Sequence, residues 1–517
     1  MENNGKIVVS AGEILYWLFF GTLLFAKGIG LYDGQTVFKL VLLFSGACLL
    51  MKLAIEKYSF SEMLKIVAVI GVTGITYIVS GDKGMLLYGF MMVGMKYVNT
   101  KRVFAFGTII WTLAFCGLTV CSLFRMDDTV YKVHDKLGMG HMFRWGLGYS
   151  HPNVLHISYI ILGMFLIYIL GERFKVKHAI YLFLGNCIIF LYSVSYTGFF
   201  VFICLLLGRL YLLWRKKLGR IEKIVLQMVF PLCVMISLIF PVLASGRVFD
   251  VINTILSTRL ALAKYYLNEE FITLFGNRVS EITSYTLTMD NAYLFAFISY
   301  GIVPFLVLCI AMVWMIYWLV KREKYLEVLI TLVIAIGGLT EPFLYNTSFK
   351  NLSFLFMGSM LFETKQEAKQ YSILPSGIIE KLNKKFEFGT VGIYALENKI
   401  VQICRWSKMK FVVGIMGAMI GILITVVACK YPTGYVVYRL HCGDVGEEMT
   451  YYDSGKEMPE YKEMAEFEDG DLVEYFSGSI VKMEKLRNGV LGMVVGYGTG
   501  YILVGLIGTR KKERCNR

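Results

Sequence analysis

Apolar runs of roughly 15 to 25 residues recur along almost the whole chain, separated by polar connections, and a helix of that length crosses the hydrocarbon of a bilayer. The pattern predicts spans near residues 14–31, 37–51, 64–80, 84–98, 103–124, 153–171, 178–193, 195–214, 224–243, 291–320, 325–341 and 351–363, then two more near 410–428 and 489–508. The expected fold class is an all-α polytopic membrane protein of about fourteen transmembrane helices. A twelve-span body covers residues 1–363, a cytoplasmic linker 364–409, a two-span hairpin 410–508 and a basic tail 509–517. Two connections of the body are long, 125–152 and 244–290. The hairpin encloses a polar segment, 429–488, richer in acids than in bases, which reads as a small ordered cap or a flexible loop.

Orientation follows from the polar residues between the runs. Positive charge gathers at every second connection: Lys52, Lys57 and Lys65; Lys101 and Arg102; Arg173, Lys175 and Lys177; Arg215, Lys216, Lys217 and Arg220; Lys321, Arg322 and Lys324; and the tail from Arg510 to Arg517. Short cytoplasmic loops retain Lys and Arg, so both termini are expected in the cytoplasm and both long loops outside. The polar start, Met1 to Ser10, leads into an apolar run with no small-residue cleavage site, which predicts a retained first helix rather than a removed signal.

Composition agrees. Of 517 residues, 56% are hydrophobic and 17% charged, against about a quarter charged in soluble domains. The net charge of +14 sits in short connections, where it sets topology, so no nucleic-acid partner is expected. The eleven cysteines stand singly, most within apolar runs, without metal-ligand spacing or a paired framework; no metal and no cofactor is expected. In the hairpin, Gly414, Gly417 and Gly421 on one span and Gly492, Gly496 and Gly500 on the other have the spacing that lets two helix backbones touch. Between Arg247 and Asn268, the apolar residues Val248, Val251, Ile255 and Leu262 recur at helical spacing, which predicts a segment lying partly in the membrane interface.

Signatures of soluble enzymes are missing: no phosphate-cradling Gly-Lys-Ser loop, no His-Glu-x-x-His helix and no Gly-x-Ser-x-Gly elbow. Chemistry is therefore expected at the external face. The first long loop ends in Arg144-Trp-Gly-Leu-Gly-Tyr-Ser-His151-Pro152-Asn153, where Pro152 and Asn153 suit a helix start. An arginine beside a histidine at the mouth of a bundle suits an anion. Ser193, Ser195 and Thr197 make a hydroxyl-rich turn that helix-to-helix hydrogen bonding also explains. The second long loop supplies Arg247, Arg259, Lys264 and Arg278, against the inside-positive pattern, and ends in Asp290-Asn291, a carboxylate that equally suits a helix N-cap. Glu341, Asn346 and Asn351 surround the last external turn, and a carboxylate at a span boundary is a functional candidate.

Taken in order, Arg144-x-Gly-x-Gly-x-x-His-Pro-Asn, Ser-x-Ser-x-Thr-Gly at 193–198, the long loop with Arg259 and Gly276-Asn277, and Asp290-Asn291 resemble the Wzy-type O-antigen and capsular polysaccharide polymerases, in the superfamily that includes the O-antigen ligases. The resemblance covers about residues 14–363. It departs at Tyr196, where many members carry an arginine, and at the hairpin, which has no counterpart in the family core. What the resemblance implies is a metal-independent glycosyltransferase in a bacterial plasma or inner membrane that joins repeat units carried on undecaprenyl diphosphate at the outer leaflet. Arg144 and Arg259 are expected to stabilise the leaving diphosphate, with Arg247 and Arg278 behind them. His151 leads as general base, before Glu341 and Asp290. Asn153, Asn291, Ser195 and Thr197 are expected to bind substrate. The implied partners are undecaprenyl-diphosphate-linked oligosaccharide, the bilayer, and a chain-length regulator and flippase of the same pathway. A ligase moving finished glycan to another acceptor, and a flippase or other transporter, are the alternative readings.

Overall fold

The computed structural model describes residues 6–122, 131–135, 141–215, 217–256, 259–268, 271–278, 289–363, 370–389, 408–428, 435–441, 447–453, 472–475 and 478–515. Lys216, the linker stretch 390–407, parts of the polar segment 429–488 and the end of the basic tail, 516–517, lie outside the described residues.

Helices stand where the apolar runs predict them. In the body they are α1 (Ala11–Gly28), α2 (Thr36–Ala54), α3 (Phe60–Ser80), α4 (Gly84–Val93), α5 (Thr100–Ser122), α6 (Pro152–Leu170), α7 (Val176–Ser193), α8 (Tyr196–Trp214) and α9 (Arg220–Leu238), then α10 (Phe240–Leu243), α11 (Gly246–Ile255), α12 (Arg259–Tyr266), α13 (Ala292–Tyr300), α14 (Ile302–Lys321), α15 (Tyr325–Gly337) and α16 (Ser353–Leu361). Beyond it come α17 (Ser376–Leu382), α18 (Lys408–Ala428) and α19 (Gly478–Cys515). Among the described residues nine helices are long and apolar enough to cross a membrane, and α4, α15 and most of α18 are shorter apolar helices. The chain is a multi-pass helical membrane protein. Helix α6 is at the centre, mostly buried, whereas α3 and α9 turn most of their apolar surface outward, where lipid takes the place of water.

The basic connections gather on one face, where some of their charged groups meet carboxylates or carbonyls. Arg102 grips Glu13 through Nε at 2.8 Å and Nη2 at 2.6 Å. Lys52 donates to the carbonyl of Lys96 at 2.8 Å, and Lys96 pairs with Glu62. Two short antiparallel ladders close this face: β1 (Lys6–Ser10) pairs with β6 (Lys385–Gly389), and β2 (Lys57–Tyr58) with β5 (Tyr371–Ser372). The linker thus folds back onto the start of the chain.

The opposite face carries the long connections, and strands again add to the helical body. Strands β3 (Tyr131–Asp135) and β4 (His141–Trp145) come from the first long loop; β7 (Tyr435–His441), β8 (Glu447–Asp453) and β9 (Leu472–Tyr475) come from the hairpin. They form one antiparallel sheet in the order β4-β3-β8-β7-β9. The described part of the polar segment is therefore an ordered extension of the first loop.

Two further expectations are corrected. The run 291–320 is not one span: Gly301, at φ +84°, breaks it into α13 and α14. Residues 273–277 run into the break, where Ile302 and Val303 donate to the carbonyls of Thr273 and Leu274 at 3.0 Å, and Asn277 N donates to Ser299 O at 3.2 Å. Helix α14 is by itself long enough to cross a membrane, so the break stands at its end far from Lys321, and the backbone groups freed there are satisfied by the crossing segment. A Cβ on Gly276 would stand 2.1 Å from Ser299 O, and one on Gly301 2.3 Å from Gly276 N, so the crossing requires both glycines. The segment 247–268 is likewise two helices. Val248, Val251 and Ile255 on α11 are exposed, as an interfacial face would be, but Leu262 on α12 is buried against the body.

In the hairpin the glycine spacing has the predicted result. A Cβ on Gly417 would meet Gly496 O at 2.2 Å, and one on Gly421 would meet Gly492 O at 1.9 Å, so α18 and α19 pack backbone to backbone. Helix α19 also packs on α7, which joins the hairpin to the body.

Candidate functional site

The site builds outward from the start of α6. Gly146 and Gly148 make the turn between β4 and that helix: a Cβ on Gly146 would lie 2.3 Å from Tyr149 O, and Gly148 stands at φ +87°. Tyr149 anchors the turn by donating to Gly28 O at 2.8 Å. His151 is the N-cap of α6, its Nδ1 accepting from Asn153 N at 3.0 Å, and Pro152 fills the first turn.

This geometry aims Arg144 and Asn153 at each other. Arg144, only 2% exposed, donates through Nε to Ser193 O at 2.8 Å and through Nη2 to Asn153 Oδ1. The other half of the Asn153 amide donates to Glu341 Oε1 at 2.7 Å. That oxygen lies 3.9 Å from Arg259 Nη2, and Arg259 Nη2 lies 3.1 Å from Asp290 Oδ2. Arg144, Asn153, Glu341, Arg259 and Asp290 thus form one continuous polar chain drawn from the first loop, α6, the turn after α15, the start of α12 and the end of the second loop. The cluster holds two cations and two carboxylates, with Arg259 on both carboxylates and Arg144 joined to Glu341 through the Asn153 amide.

The other candidates take supporting places. Asn291, not Asp290, caps α13: its Oδ1 accepts from Tyr293 N and Leu294 N at 2.9 and 3.0 Å, while Nδ2 donates to Ser237 Oγ at 2.8 Å and Leu339 O at 3.0 Å. The cap leaves the Asp290 carboxylate to Arg259. Ser195 caps α8, and Thr197 lies half-buried in that helix's first turn. Asn351 is wholly buried and ties its own turn together through Leu344 O and Ser353 N, while Asn346 accepts from Ser348 N. Arg247 is exposed on α11, and Arg278 is exposed one residue beyond Asn277. Tyr196, at the position where an arginine was expected from the resemblance, packs edge-on against Phe190.

The His151 cap also bears on its chemistry. With Nδ1 accepting a backbone proton, a neutral ring carries its own proton on Nε2 and offers a donor there rather than a base. Glu341 and Asp290 are left as the groups that can accept a proton.

Two buried groups escape the sequence pattern. His156, one turn beyond Asn153, is fully buried between Ser193 Oγ at 2.9 Å and Asn186 Oδ1 at 2.8 Å. The amide oxygen accepts, so Nε2 carries the ring proton and Nδ1 takes the serine's. This fixes the turn whose carbonyl holds Arg144. That turn includes Val194 at φ +43°, a costly backbone for a β-branched residue. Lys350, 4% exposed, donates to Ser158 Oγ at 3.1 Å from between the rings of Tyr149 and Trp111, 5.8 and 6.0 Å away. Phe349 at φ +57° turns it inward. Neither was legible in advance: one histidine in an apolar run and one lysine in a turn carry no pattern.

A scan against protein-family models, a search of curated proteins and a search of solved structures each gave no match to this chain.

Proposed function

We propose that the chain transfers glycan between two oligosaccharides linked to undecaprenyl diphosphate, at the outer face of a bacterial plasma membrane, as a polysaccharide polymerase. The observation that carries the reading is the polar chain from Arg144 to Asp290, in which five residues singled out by the sequence, from distant segments, meet on the face away from the basic connections. With the basic face cytoplasmic, both termini lie inside and the sheet lies outside.

In the reaction, the acceptor sugar's hydroxyl oxygen attacks the donor's anomeric carbon. The bond from that carbon to the diphosphate oxygen breaks, and the diphosphate departs with the electron pair. Arg144 takes the developing charge. Its Nε and Nη2 meet a carbonyl and an amide oxygen, and a diphosphate oxygen adds an attraction between opposite charges that these two acceptors lack. Arg259 already spans two carboxylates, so it serves better to hold Glu341 in place. Glu341 removes the hydroxyl proton. Arg247 and Arg278, exposed at the rim, meet the incoming diphosphate first.

A ligase in the same setting would use the same chemistry. The lipid-linked glycans of cells lacking the protein separate the two: single repeat units on the carrier support polymerisation, finished polymer retained on the carrier supports ligation, and a normal profile contradicts both.

A further inference from the structure

The hairpin lies outside the resemblance and supplies none of the polar chain, yet it meets the Arg144 strand by two routes. The first is the sheet. Lys132 of β3 stands opposite Arg144 of β4 on one side and opposite Thr450 of β8 on the other, so the hairpin's strands continue the ladder that carries Arg144.

The second route is through side chains. Tyr192, near the end of α7, is fully buried and donates from its hydroxyl to Asn488 Oδ1 of α19 at 3.1 Å. Its ring lies 5.6 Å from that of Trp145, the neighbour of Arg144. The next residue, Ser193, provides the carbonyl that Arg144 Nε holds at 2.8 Å. Asn488 is itself fully buried. A buried amide bonded to a buried phenol fixes a helix end more firmly than apolar packing does, because separating them strands both groups.

We infer that the C-terminal hairpin positions Arg144, with Asn488 acting through Tyr192 as the positioning residue. What Arg144 then does rests on the glycosyl-transfer reading; that the hairpin holds its strand does not.

Hydrogen exchange of the full-length protein in bilayer discs, followed at residues 141–149, tests this beside a transfer assay on lipid-linked repeat units. Tyr192→Phe and Asn488→Leu each remove the hydrogen bond, and exchange in this stretch is expected to rise about fivefold to tenfold, as for loss of one buried bond. The double variant should be no worse than either single one. Asn488→Asp keeps an acceptor for the phenol and should exchange like the unaltered protein. Transfer should fall with exchange, through kcat rather than KM. Unchanged exchange in Asn488→Leu overturns the inference, as does a rise of the same size in Asn488→Asp. Faster exchange with transfer intact contradicts instead the part given to Arg144.

Discussion

Asn153 donates from Nδ2 to Oε1 of Glu341 at 2.7 Å, joining the first turn of α6 to the turn after α15 across 188 residues of sequence. Because its Oδ1 accepts from Arg144, one neutral amide holds a cation and a carboxylate apart while touching both. Asn153→Asp would set a second carboxylate against Glu341 and give Arg144 an ionic partner. Transfer is expected to fall about a hundredfold or more, the scale of losing one preorganised charge stabiliser. Initial rates on lipid-linked repeat units check this; a rate within twofold of the original refutes it.

Arg259 reaches two carboxylates, Asp290 at 3.1 Å and Glu341 at 3.9 Å. Both are met by Nη2, while Nη1 donates to Leu256 O at 3.4 Å, and a lysine ammonium, a point charge, cannot hold the carbonyl and the carboxylates at once as a planar fork does. Arg259→Lys should therefore lose about tenfold or more in transfer despite keeping the charge. Asp290→Asn, which removes only the outer carboxylate, should lose less. Steady-state kinetics of both variants show the order.

Lys350 separates function from packing. It is buried with a hydroxyl acceptor and two ring faces, and replacing a buried charge by an apolar side chain of similar size is often neutral or stabilising. Lys350→Met should keep or raise the melting temperature while transfer falls. Unfolding scans beside the transfer assay decide it, and a variant as active as the original shows that Lys350 serves packing alone.

Asp82, in the turn between α3 and α4, has its carboxyl pushed up to about 6 by burial, against 3.8 for a free side chain. The folded state thus holds this proton more tightly than the unfolded one, and stability falls as pH rises from about 4 through about 6. Asp82→Asn removes the titrating group but keeps an oxygen for Gly84 N and Tyr300 Oη. The variant should be more stable than the original at pH 7 and equal to it near pH 4, as melting temperatures across that range will show.

Much of this was legible before any coordinates. The apolar runs located the helices, since a bilayer span leaves a long, uniform pattern. The site was legible in its members but not in its connections: Arg144 and Arg259 stood out as arginines of the long loops, and Asn153, Asp290 and Glu341 as polar residues at span ends, while their pairing depends on tertiary contact. The break at Gly301 was missed because residues 291–320 carry no charge to interrupt the apolar run, although Gly301 and Pro304 mark the place, and a distant segment supplies the hydrogen bonds there. The shared sheet was missed because pairing between β3 and β8 leaves no mark in either strand alone. His151 read as a base until its ring proved to be a cap.

The most direct measurement is product analysis with purified protein in vesicles given lipid-linked repeat units, comparing the unaltered chain with Arg144→Ala and Glu341→Gln. The unaltered protein should lengthen the lipid-linked glycan and release one undecaprenyl diphosphate per link formed, while both variants leave single units on the carrier. Full-length polymer with an unchanged chain distribution from Arg144→Ala and Glu341→Gln would contradict the assignment of the chemistry to this polar chain.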